Sequence, residues 1–231
     1  MFAPKLVMME GVPGSGKSTL AEMLVEWVAT AGGEVDHLSE EAIFNRPEFS
    51  AVGQAFKTKR FPTPDLMLFA YDRLFAKARD RAASVVADWN AVGMIEDLPC
   101  AQPDRASTTT DNPLAVADSD VLRQHALDVR RAWGGQAVLL RLAIPVEEAT
   151  RRAAQQRGSE WISRQLARAG RSADGAEAIR AIAEWHAAYG QRRRVEVQSH
   201  ADAGWAISSI DAGTEPAVVL KRAVAATYPD A

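Results

Sequence analysis

Leu6-Val7-Met8-Met9-Glu10-Gly11-Val12-Pro13-Gly14-Ser15-Gly16-Lys17-Ser18-Thr19 is the stretch that decides the fold. An apolar, strand-like run leads straight into Gly-x-x-x-x-Gly-Lys-Ser, the full spacing of a phosphate-binding P-loop. Gly11, Gly14 and Gly16 admit backbone conformations that a Cβ disfavours, so consecutive N–H groups can turn inward around a phosphate. Lys17 is placed to reach the β- and γ-phosphates, and the Ser18 hydroxyl to hold Mg²⁺; Ser15 and Thr19 complete the nucleotide-binding set. From Thr19 to Val28 apolar residues recur at helical spacing, so the loop opens a helix whose positive end also faces the phosphates. An ATP or GTP site follows from strand, loop and helix together.

Outward from the loop, 231 residues suit one α/β domain with an insert or lid. A net charge of −3 gives no global reason to expect nucleic-acid binding. Cys100 is the only cysteine, which excludes an internal disulfide and favours a reducing, cytoplasmic setting. No apolar run reaches the length of a membrane span. The histidines are scattered without metal-ligand spacing.

Strand-like and helical runs alternate along the chain. Strands are expected over residues 34–38, 91–95, 137–144 and 205–210, and helices over 66–88 (capped by Asp65), 119–133, 147–156, 175–193 and 215–227. This alternation predicts a three-layer P-loop NTPase fold: a five-stranded parallel sheet, helices on both faces, and a small Arg-rich lid over about 151–175. Ligands of such a sheet sit at the carboxyl ends of its strands. That rule puts the P-loop, Glu96-Asp97 and Asp211-Ala212-Gly213 on one rim.

Glu10-Gly11 through Lys17-Ser18-Thr19, the segment Leu68-Phe69-Ala70-Tyr71-Asp72-Arg73, an acid closing the third strand, and Arg152 with Arg157-Gly158 resemble thymidylate kinase and its nucleotide and deoxynucleoside kinase relatives. The resemblance implies a single P-loop kinase domain over residues 1–231, with ATP and Mg²⁺ and a small-molecule acceptor as partner. It further implies that Phe69 stacks on an acceptor base and Arg73 reaches an acceptor phosphate. A spacing of four does place ring and guanidinium on one helix face, although core packing for Phe69 and a surface ion pair for Arg73 also fit the pattern. Either Glu96 or Asp97 would accept the proton of the attacking hydroxyl or organise Mg²⁺ waters. Arg152, Arg157 and then Arg164 would neutralise charge on the transferring phosphoryl, and the turn at Asp211 and Ala212 would contact adenine through its backbone.

The departures from that family carry information. Its members follow the strand-end acid with an arginine, whereas Asp97 stands here, and Ser39-Glu40-Glu41 replaces an Arg-Glu-Pro segment. Like charges a few ångströms apart cost about 1 kcal/mol or more, so Asp97 and Glu40 on the acceptor side disfavour a phosphate-bearing acceptor. An uncharged or cationic hydroxyl compound is expected, such as a nucleoside or an aminoglycoside-like sugar, with Arg105 and the Lys57–Arg60 cluster as possible substitutes for the lost clamp. No membrane or nucleic-acid partner is expected, and a homodimer stays open.

Overall fold

The computed structural model describes residues 3–40, 42–58, 63–90, 119–188 and 190–230. The strands are β1 (Lys5–Glu10), β2 (Val35–Leu38), β3 (Ser84–Ala87), β4 (Gln136–Ala143) and β5 (Ala206–Asp211). All pairings are parallel, in the order β2-β3-β1-β4-β5. β1 lies at the centre and every one of its residues is buried, as expected of a strand covered on both faces.

The helices are α1 (Lys17–Thr30), α2 (Ser50–Lys57), α3 (Pro64–Asp80), α4 (Ser119–Trp133), α5 (Val146–Arg168), α6 (Gly175–Ala188), α7 (Gly190–Asp202) and α8 (Pro216–Thr227), with two short 3₁₀ turns at Ile43–Asn45 and Pro47–Phe49. Strand alternation sorts them into layers. Val7 and Met9 face α1 and α8, in a cluster with Leu20, Leu24, Val219 and Ala223. Leu6 and Met8 face the other way, among Tyr71 and Phe75 of α3 and Leu122 and Trp133 of α4, with Val195 of α7 against them. A third cluster, Ala153, Trp161, Leu166, Ala178 and Ile182, joins α5 to α6 as a helical hairpin.

The expected three-layer, five-stranded parallel fold is present, but the third strand is not where the sequence reading puts it. Helix α3 ends at Asp80, and the sheet takes Ser84–Ala87 as its third strand, ahead of the expected 91–95, which lies outside the described residues. The stop is a Schellman-type turn: Ala83 N–H donates to Ala78 O at 2.8 Å, and Ala82 N–H to Arg79 O at 2.9 Å. Its left-handed position is filled by Ala82 at φ 53° instead of glycine, so the strongest stop signal is missing from the sequence and only the basic Lys77 and Arg79 of the last turn mark the end. At the other end Thr63, not Asp65, is the cap; its Oγ1 accepts Leu66 N–H at 3.3 Å, and Pro64 takes the first helical position.

The helix expected over 147–156 is longer than the sequence reading puts it. Helix α5 runs past Gln156 to Arg168, bending at Gly158 (φ 72°, ψ −169°), a conformation in which glycine avoids a Cβ clash. Among the described residues, no helix is long and apolar enough to cross a membrane.

Candidate functional site

The loop between β1 and α1 is shaped by close approaches that only glycine tolerates. A Cβ at Gly14, whose φ is +82°, would stand 2.0 Å from Ala149 O of α5. One at Gly11 would stand 2.5 Å from Ser15 Oγ. Gly16 is different: its φ of +92° demands glycine, while nothing lies within 4 Å of its missing Cβ. Ser15 N–H donates to Val12 O at 3.0 Å, and its buried Oγ has no partner among the described residues. Lys17 folds back so that Nζ donates to Gly11 O at 2.7 Å and to Val12 O at 3.4 Å. Its pKa is pushed down by burial and by Arg193 and Arg157, against the opposing fields of Glu40 and Glu10. An ammonium resting on loop carbonyls, a partnerless hydroxyl and a Cβ-free cradle fit a polyphosphate. Ser18 is exposed in the first turn of α1, where its hydroxyl is open to a metal.

Beside the loop is a cleft of about 220 Å³ lined by Gly14, Gly16, Thr19, Met23, Arg152 and Pro216 among others. Leu20, Leu142, Ala212 and Val219 add apolar wall. Arg152 is held at its edge by Glu148 Oε1 at 2.5 Å and by Ala212 O at 3.2 Å. Ala212 N–H is bonded to Ala143 O at 2.8 Å, so both backbone polar groups of Ala212 are engaged within the protein. Asp211 does not line this cleft; its Oδ1 accepts Gly213 N–H at 2.9 Å, shaping the turn, and Oδ2 lies 3.9 Å from Arg222. A flat apolar ring with a guanidinium beside it and phosphates toward Lys17 fits this shape.

On the other side of the loop is a charged rim. Glu10, the last residue of β1, is only 6% exposed and lies 3.3 Å from Arg193 of α7 and 3.8 Å from Arg141 of β4. Burial raises its pKa despite Arg193, Arg141 and Lys17. His186 of α6 is buried, with Nδ1 lacking a partner among the described residues, and its pKa is lowered to about 4 by burial and by Arg193, Lys17 and Arg168. Asp88 follows β3 directly. Since Ala87 pairs with Met8, Asp88 comes level with the end of β1. It is 4% exposed, and its Oδ1 accepts Glu40 N–H at 2.8 Å.

The structure therefore brings Gly11, Gly14, Ser15, Gly16, Lys17, Thr19, Arg152 and Ala212 together, with Arg157 and Glu40 close enough to act on Lys17. It leaves Arg164 on the outer face of the hairpin, 3.9 Å from Glu160. Phe69 is 59% exposed on α3, with the Arg73 guanidinium 5.9 Å from its ring centre, so Phe69 is not core. Glu96, Asp97 and Arg105 lie outside the described residues. The acid that closes the third strand is Asp88, which the sequence reading puts at the end of a helix; the β-branched pair Val85-Val86 was the available signal. Arg193 and His186 were missed as well, and no local pattern distinguishes them from a solvated basic run and a core histidine.

The chain matches no protein-family profile and no curated protein. Among solved structures it is similar to a gluconokinase from Sinorhizobium meliloti 1021, with 16% identity over 98% of this chain and 93% of that one, at a TM-score of 0.43. That likeness is too distant to say more than the sheet order and the loop already do.

Proposed function

We propose that the protein is an ATP-dependent phosphotransferase that moves a γ-phosphoryl group to a hydroxyl of a small molecule. The observation that carries this reading is the placement of Lys17 between two unlike surroundings: the apolar, Arg152-edged cleft on one side, and on the other the carboxylates Glu10, Glu40 and Asp88 with their arginines. A protein that only bound a nucleotide would need the loop and the cleft, and not the carboxylates gathered beside them.

In this reading the cleft holds adenine against Arg152, the loop N–H groups and Lys17 hold the phosphates, and Ser18 contributes a metal ligand. Bound Mg²⁺ supplies charge neutralisation at the β- and γ-phosphates. Asp88, fixed by the Glu40 N–H, accepts the acceptor's hydroxyl proton or orders metal-bound water. Phe69 and Arg73 offer an exposed platform and a cation for the acceptor. The α5–α6 hairpin serves as the lid, with Arg157, whose charge acts on Lys17, facing the phosphates and Arg164 too far out to contribute.

A second reading, a nucleoside monophosphate kinase, draws on Arg73, Arg141 and Arg193, which restore positive charge to the acceptor side. One screen separates the two. ADP release is measured with nucleosides and aminoglycosides against AMP, CMP, GMP, UMP and dTMP, with Lys17→Ala as control. Phosphorylation of a neutral acceptor supports the first reading, and a robust rate on one monophosphate selects the second. If no compound is phosphorylated and ATP is hydrolysed slowly, a nucleotide-dependent switch protein is the better description.

A further inference from the structure

Lys17 is not the only cation gathered at the loop. Arg193 comes from α7, on the sheet face opposite α1, within the basic run Arg192-Arg193-Arg194. Arg194 faces solvent, whereas Arg193 turns inward and is 21% exposed. Its Nε lies 3.3 Å from Glu10 Oε1, and its NH1 donates to His186 O at 3.0 Å. A long side chain is thus fixed one residue ahead of Gly11.

Stability does not account for the arrangement. A buried carboxylate between guanidiniums costs solvation that the pairing roughly repays, so an apolar contact would hold α7 to β1 at least as well. Glu10 also has Arg141 at 3.8 Å. Moreover, Arg193 and Lys17 repel one another across the loop, and Arg193 stands ahead of Arg157 among the cations that lower the Lys17 pKa. Cations crowded against a phosphate loop relieve that repulsion when a multiply charged anion arrives.

We propose that Arg193 is the guanidinium that contacts the transferring phosphoryl group from the side opposite the loop, with Glu10 as its positioning residue. The inference rests on the phosphotransferase reading. As the bond from the γ-phosphorus to the β,γ-bridging oxygen breaks, its electron pair leaves on ADP. The acceptor hydroxyl oxygen forms the new bond to phosphorus and its proton passes to a carboxylate. Arg193 donates to the equatorial oxygens, where negative charge is shared between the bond breaking and the bond forming. Its fork matches that geometry in a way an ammonium does not.

The test is fluorescence titration of the full chain with mant-ADP and Mg²⁺, with and without aluminium fluoride, which mimics the phosphoryl group in flight. Wild type should bind more tightly with the fluoride. Arg193→Ala should lose at least tenfold of that tightening while mant-ADP affinity stays within twofold, and Arg193→Lys, which keeps a charge for Glu10, should recover only part. A purely structural Arg193 would lower the Tm of the alanine variant and leave the fluoride response of the lysine variant at the wild-type level; that result overturns the proposal. If wild type binds mant-ADP but shows no tightening, the phosphotransferase reading itself fails and takes this inference with it.

Discussion

Asp88 Oδ1 accepts the backbone N–H of Glu40 at 2.8 Å, tying the end of β3 to the turn that leaves β2. The bond orients a buried carboxylate on the rim next to the phosphate loop, and charge and position can be tested apart. Asp88→Asn keeps an oxygen for the Glu40 N–H and removes the charge; Asp88→Ala removes both. Both should cut ADP release about 100-fold or more, and only the alanine variant should also lose stability, by about 1–3 kcal/mol. Full turnover in Asp88→Asn would remove Asp88 from the chemistry.

The loop glycines should differ in a way their motif does not reveal. Gly16→Ala meets open space and bears only the left-handed backbone cost, about 1–2 kcal/mol. Gly14→Ala adds a Cβ 2.0 Å from Ala149 O and must displace α5, so its loss should exceed that of Gly16→Ala by about 1–3 kcal/mol. Urea midpoints of the two variants provide the comparison.

Arg152 and Arg164 sit on the same helix yet should behave oppositely. Arg152→Ala removes the cleft's guanidinium and frees Ala212 O, so ATP affinity should fall about tenfold. Arg164→Ala removes only an exposed pair with Glu160 and should leave affinity and stability nearly unchanged. Titration with a fluorescent nucleotide measures both; equal losses would contradict the cleft assignment.

Two buried histidines set an acid limit on stability. His186 and His200 both have pKa values lowered to about 4 from 6.5, chiefly by burial, His200 despite accepting support from its bond to Glu196 O. The unfolded chain therefore binds more protons between those values, so stability should fall as pH drops from about 6.5 toward 4 and level off below. Glu48, held below its usual range by Lys77 at 2.5 Å and by Arg46 although burial opposes them, adds to the loss once pH falls below its unfolded value of 4.5. Denaturant midpoints between pH 7 and 4 should show the decline, and His200→Phe should flatten its upper part. A midpoint constant over that range would contradict the burial of both rings as neutral groups.

By itself the sequence determined the phosphate-loop half of the candidate site. The strand into Gly11, the glycines, Lys17 and the amphipathic helix after them are a local pattern, and local patterns are readable because each residue's role depends on its chain neighbours. The last two strands, α4 and α8 follow from the same periodicity, whereas α5 runs on past Gly158, the single helix expected over 175–193 is two helices, Gly175–Ala188 and Gly190–Asp202, and the strand order is set by packing. The charged rim beside the loop was decided only by tertiary structure. Ala82 ends α3 without a glycine, which moves the third strand and makes Asp88 the strand-end acid. Arg193 meets Glu10 across 183 positions of chain, from a run of arginines with nothing in its spacing to mark one of them. Charge clusters of this kind arise where the ends of separate strands and helices converge, and that convergence is a property of the packed sheet, not of any one segment.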